Sequence, residues 1–76
     1  MNVIQSSEPR YSILIWKSGK QLGTLRDRDT SQARSSFGGA VARCKNSTDS
    51  HRVELYDEPD LIDAWSTEEG YNALSV

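Results

Sequence analysis

The spacing of apolar residues changes along this chain and divides it into elements. Residues 11 to 17, Tyr-Ser-Ile-Leu-Ile-Trp-Lys, are dense in β-branched and aromatic types and predict a strand. Ser18-Gly19-Lys20 is turn material, and Gln21-Leu22-Gly23-Thr24-Leu25-Arg26 returns as a second strand in which Gly23 marks a bulge or a close approach. The period then lengthens from two to 3.6, because Ala33, Phe37, Ala40, Val41 and Cys44 recur on one helical face. Asp29, three residues before Gln32, is placed to form a capping box, so the helix should start near Thr30. Gly38 and Gly39 weaken it or admit a close neighbour, and Arg43 with Lys45 suits its C-terminal end. After the loop Asn46 to Ser50, residues 52 to 57 alternate as a third strand. Glu58-Pro59-Asp60 is a turn with Pro in its second position, and Leu61 to Trp65 returns as a fourth strand. From Ser66 onward, Glu68 and Glu69 fit the first turn of a short terminal helix through Leu74.

Two hairpins around one helix predict an α+β fold: a single ββαββ domain with a four-stranded antiparallel sheet of order 2-1-3-4 and the helix on one face. Alternation puts Tyr11, Ile13 and Ile15 with Val53 and Leu55 under the helix, and Leu14, Trp16 and Tyr56 on the opposite side. The register of the fourth strand is open. If Ile62 and Ala64 point inward, Trp65 and Leu61 join the uncovered side. One helix cannot shield both faces, and a cluster of large apolar rings in water is a patch that monomers avoid. Three covers fit: the terminal segment with Tyr71, Ala73 and Leu74 folding back, a partner protein, or a second copy of the chain as a homodimer.

With 76 residues, 36% of them hydrophobic, the chain has material for one modest core. Residues 1–9 are expected to be a flexible lead, 10–66 the domain, and 67–76 a tail or short helix. Cys44 is the single cysteine and cannot bridge within the monomer, and the first residues lack the basic and apolar regions of a signal peptide. These features predict a reducing, cytoplasmic location. No run approaches the length needed to cross a bilayer.

The net charge is only −2, but its distribution is uneven. Residues 1 to 53 hold all nine basic side chains and four acids; the remainder holds seven acids and no base. Glu54, Asp57, Glu58, Asp60 and Asp63 gather around the last hairpin, with Glu68 and Glu69 after it. Such a pole suits a basic surface on a partner. Together with the aromatic residues Trp16, Tyr56 and Trp65, the hairpin acids form the candidate partner-binding set.

Catalytic chemistry finds little footing here. His51 and Cys44 are each alone of their kind and lack the third group of a nucleophile-base pair or the ligand count of a zinc site. Neither a calcium loop nor a phosphate loop is spelled out. The expectation is a non-enzymatic protein without cofactor or metal. The alternative is a small nucleic-acid-binding regulator in which Arg26, Arg28, Arg34, Arg43 and Lys45 meet phosphates while exposed sheet aromatics stack bases. Against it, Asp27 and Asp29 interrupt the first two arginines.

The order of these elements, from the strand pair beginning Tyr11-Ser12-Ile13, through the helix entered at Thr30-Ser31-Gln32-Ala33, to the closing hairpin Val53-Glu54-Leu55-Tyr56-Asp57 with Leu61-Ile62 and Trp65, resembles small phage or mobile-element accessory proteins of the anti-CRISPR kind. The resemblance covers residues 10 to 66 by size, layout and acidic character, and no diagnostic motif carries it. It implies a non-enzymatic, phage-encoded inhibitor that occupies a functional surface of a host defence complex, with acidic side chains where nucleic-acid phosphates would lie.

Overall fold

The computed structural model describes residues 10–71, and these form β1 (Tyr11–Lys17), β2 (Lys20–Asp27), α1 (Thr30–Lys45), β3 (His51–Asp57) and β4 (Asp60–Ser66). The strands make one antiparallel sheet of order β2-β1-β3-β4, the α+β ββαββ arrangement expected from the alternation. The lead at residues 1–9, and the part of the anticipated terminal helix that carries Ala73 and Leu74, lie outside the described residues.

Each connection has a local cause. Lys17 pairs with Lys20, which leaves Ser18 (φ 50°) and Gly19 (φ 83°) as a two-residue turn with both φ values positive. That geometry matches the right-handed twist of the flanking strands. Beyond it Ile15 pairs with Gly23 and Trp16 with Gln21, so Leu22 is an extra residue in β2. The predicted bulge is therefore present. A Cβ placed on Gly23, Gly38 or Gly39 would meet nothing within 4 Å among the described residues, so the close approach entertained at these glycines is not found there.

Asp29 caps α1 by accepting from the backbone N–H of Gln32 at 3.4 Å. The backbone N–H of Asp29 itself donates to Asp27 Oδ1 at 3.3 Å, the bond that a reciprocal capping box would have asked of Gln32. Ala33, Phe37, Ala40, Val41 and Cys44 are all buried, and they pack with Ile13, Val53, Leu55 and Trp65 into the core, with Tyr11, Ile15 and Ile62 at its margin. The helix lies over β3, β1 and β2, and Trp65 closes the core from β4.

Two expectations about the last third of the chain are corrected. The β3–β4 turn runs from Asp57 to Asp60 with a cis Glu58–Pro59 bond, so Pro59 occupies the third position of the turn and not the second. More consequentially, Tyr56 pairs with Leu61 but Leu55 pairs with Asp63, which makes Ile62 an extra residue in β4. One inserted residue reverses the alternation for the rest of a strand. Ile62 remains inward as anticipated. Ala64, opposite Glu54, turns to the uncovered face, and Trp65, opposite Val53, turns into the core at 6% exposure.

After β4 the chain makes no helix through Gly70. Ser66 and Gly70 exchange two backbone hydrogen bonds of 3.1 and 2.8 Å around a tight turn, with Gly70 at φ 60°. A left-handed residue there ends any helical course. Tyr71 then approaches Phe37, with ring centroids 6.5 Å apart, and Lys45 sits 5.6 Å from its ring. The segment thus returns toward the helix, and Tyr71 does not cover the open sheet face.

Candidate interaction face on the sheet

The face away from α1 carries Ser12, Leu14 and Trp16 of β1, Arg52, Glu54 and Tyr56 of β3, and Leu61, Ala64 and Ser66 of the edge strand β4. Its centre is a carboxylate. Glu54 lies directly across from Leu14 on one side and Ala64 on the other, with a side chain only 12% exposed. Three donors converge on it. Trp16 Nε1–H donates to Oε1 at 3.0 Å, the Tyr56 hydroxyl to the same oxygen at 3.4 Å, and Arg52 Nε–H to Oε2 at 2.7 Å. The i, i+2, i+4 spacing of Arg52, Glu54 and Tyr56 places all three on one side of β3, and the diagonal across to β1 brings in Trp16.

This arrangement changes the character of the patch foreseen from the sequence. With Trp65 in the core, the apolar part of the face is Leu14, Trp16, Tyr56 and Leu61, each half-buried. Both rings have their polar atoms turned to Glu54, so what they present outward is mainly carbon. A nearly buried carboxylate is tolerable because it is matched by one guanidinium and two neutral donors. The Tyr56 hydroxyl is pushed above its usual pKa, first by desolvation and then by the Glu54 charge and hydrogen bond.

The remaining hairpin acids are dispersed. Asp57 is held by Arg10, whose Nη2 is 3.1 Å from Oδ2. Asp63 turns to the helix side and pairs with Arg34 at 3.1 Å. Glu58 and Asp60 are exposed at the turn tip. Trp65, Asp57 and Asp63 therefore stand apart from Trp16, Glu54 and Tyr56, which the structure brings together. Glu68 and Glu69, at the other end of β4, border a cleft that also takes in Trp16, Ser18, Ser50, Arg52 and Ser66.

The basic residues do not form one surface. Arg26, opposite Ser12, belongs to the open face on β2; Arg28 precedes the helix; Arg34 is paired with Asp63; Arg43 borders a groove beside Ile15 and Leu22; and Lys45 lies over Tyr71. Arg28 and Lys45 bracket a 16-residue helix, about 24 Å long at the usual rise.

Cys44 is buried in the core, and burial pushes its thiol above the usual value. The His51 ring has Nδ1 3.1 Å from the Asp49 carbonyl oxygen. Among the described residues, no group of three or more His, Cys, Asp and Glu side chains is close enough to hold a metal ion. No helix among them is long and apolar enough to cross a membrane.

No family model matches the chain, and no curated protein or solved structure matches it. Sequence reasoning located Trp16 and Tyr56 by alternation and named Glu54 only among the acids of the last hairpin. It missed Arg52 as their fourth member, although its parity with Glu54 was there to be read, and it missed the cleft at Glu68, which forms only when three separate connections meet.

Proposed function

We propose that the protein is a non-enzymatic interaction module that docks another protein on the helix-free face of its sheet. The observation that carries this reading is the Trp16–Glu54–Tyr56–Arg52 cluster. It holds two large rings in place by their polar atoms and leaves their carbon surface outward, which is the composition of an interface centre. Pre-positioned aromatic groups lose little conformational freedom when a partner arrives.

Charge adds direction. Glu58 and Asp60 lie at one end of β4 and Glu68 and Glu69 at the other, about 20 Å apart by strand rise, while Lys20 and Arg26 lie on the opposite edge strand. The β4 side of the face therefore suits a basic partner surface. A host defence complex, whose nucleic-acid-binding surface is basic, is the specific partner of this reading.

Docking is tested by placing a photoreactive benzophenone side chain at Thr24, on the exposed β2 margin of the sheet, and separately at Ala42, on the solvent side of α1. A single cross-linked protein from Thr24, absent from Ala42, is the expected result; cross-links from Ala42 alone overturn it, and cross-links between copies of the chain make the face a homodimer surface. The joint reversal Glu58→Lys and Asp60→Lys should weaken the Thr24 cross-link without moving the thermal midpoint. For the defence-complex version, expression in cells with an active CRISPR-Cas system should restore plating of a targeted phage, and unchanged restriction removes it.

A further inference from the structure

The cleft at the Ser18–Gly19 end of the open face has a volume of about 310 Å³, enough for a long side chain, and the chemistry of its wall is uneven. Trp16 lines it with carbon, because its one N–H is committed to Glu54. Arg52 also lines it, but its guanidinium is matched at 2.7 Å by the Glu54 carboxylate and contributes little net charge. Ser50 Oγ–H donates to Glu68 Oε2, which ties that carboxylate to the α1–β3 connection and holds it ionised below the usual carboxylate range. The Glu69 backbone N–H donates to Ser66 Oγ at 3.0 Å, while its carboxylate makes no hydrogen bond or ion pair with the described residues. The turn that carries both acids is closed by the Ser66–Gly70 backbone pair.

A wall of indole carbon beside two carboxylates, one anchored and one free, is the environment that a planar cation fills best. A guanidinium can lie against an aromatic ring and fork to a carboxylate at once, whereas an ammonium is a point charge that holds its water more tightly. We propose that this cleft receives an arginine side chain of the partner protein. The inference rests on the open-face docking reading and deepens it by naming the group that anchors one end of the interface.

The test uses isotope-labelled protein titrated at low salt with the blocked tripeptide acetyl-Gly-Arg-Gly-amide, with the lysine and citrulline counterparts as controls. Expected are saturable shifts of the Trp16 indole N–H and of the Ser50, Glu68 and Glu69 amides. The response should be weaker for lysine and lost for the uncharged citrulline. Glu69→Gln, an exposed substitution that removes no described bond, should weaken the arginine peptide by roughly threefold to fivefold. No saturable shift, an equal response to citrulline, or equal shifts at the distant Glu58 and Asp60 would overturn the proposal. Failure of the peptide together with a retained Thr24 cross-link would reject the arginine and keep the docking face. A lost cross-link with an intact peptide response would do the reverse.

Discussion

Trp16 on β1 and Glu54 on β3 are joined diagonally across the strand pair by a 3.0 Å hydrogen bond from the indole N–H to the carboxylate. Tyr56 and Arg52 share the same acceptor group, so one nearly buried carboxylate organises most of the open face. Interior carboxylates of this kind are costly unless matched, and truncating one leaves its donors unsatisfied.

Glu54→Ala should therefore destabilise the domain by about 1–3 kcal/mol in urea unfolding, and Trp16→Phe, which removes one donor and keeps the ring, by about 1 kcal/mol. The paired substitution should cost less than the sum, because each removes the other's reason for being there.

Alkaline titration reads the same cluster. The Tyr56 hydroxyl should ionise above the ordinary 10.0, since desolvation and then Glu54 both disfavour the phenolate. Its folded value is raised, so the associated stability is complete below pH 10.0 and is lost as pH climbs through the folded value. Glu54→Gln should bring the midpoint back down, measured by NMR on the Tyr56 ring; an unchanged midpoint would leave desolvation, with the lesser contribution of the Glu58 charge, as the cause.

The two tryptophans should separate by behaviour. Trp65 is 6% exposed and Trp16 half-buried, so a Trp16→Phe variant should retain blue-shifted, quencher-resistant emission from Trp65. Trp65→Ala opens the core and should cost roughly 3–5 kcal/mol, a large part of what a domain of this length possesses.

Ser18 occupies a positive φ of 50° beside Gly19. A left-handed backbone costs an ordinary residue roughly 1–2 kcal/mol, and asparagine tolerates it best among residues with side chains. Ser18→Asn should raise the thermal midpoint without disturbing the β1–β2 register; a lowered midpoint would mean that the serine has a role the turn geometry does not reveal.

Much of this architecture is written locally. The alternation of β1 and β3, the Ala33–Phe37–Ala40–Val41–Cys44 stripe and the Asp29 cap depend on neighbours a few residues away, so the faces of β1 and β3 and the start of the helix follow from the sequence alone. The direction of Trp65 does not. It depends on whether β4 takes up an extra residue at Ile62, a matter of how that strand fits against Leu55 and Tyr56 of its neighbour. The cleft beside Trp16 is likewise decided by tertiary structure, because its wall joins residues from the first turn, the α1–β3 connection and the chain beyond β4. Side-chain period is a property of a segment, whereas register and convergence are properties of segments held against one another.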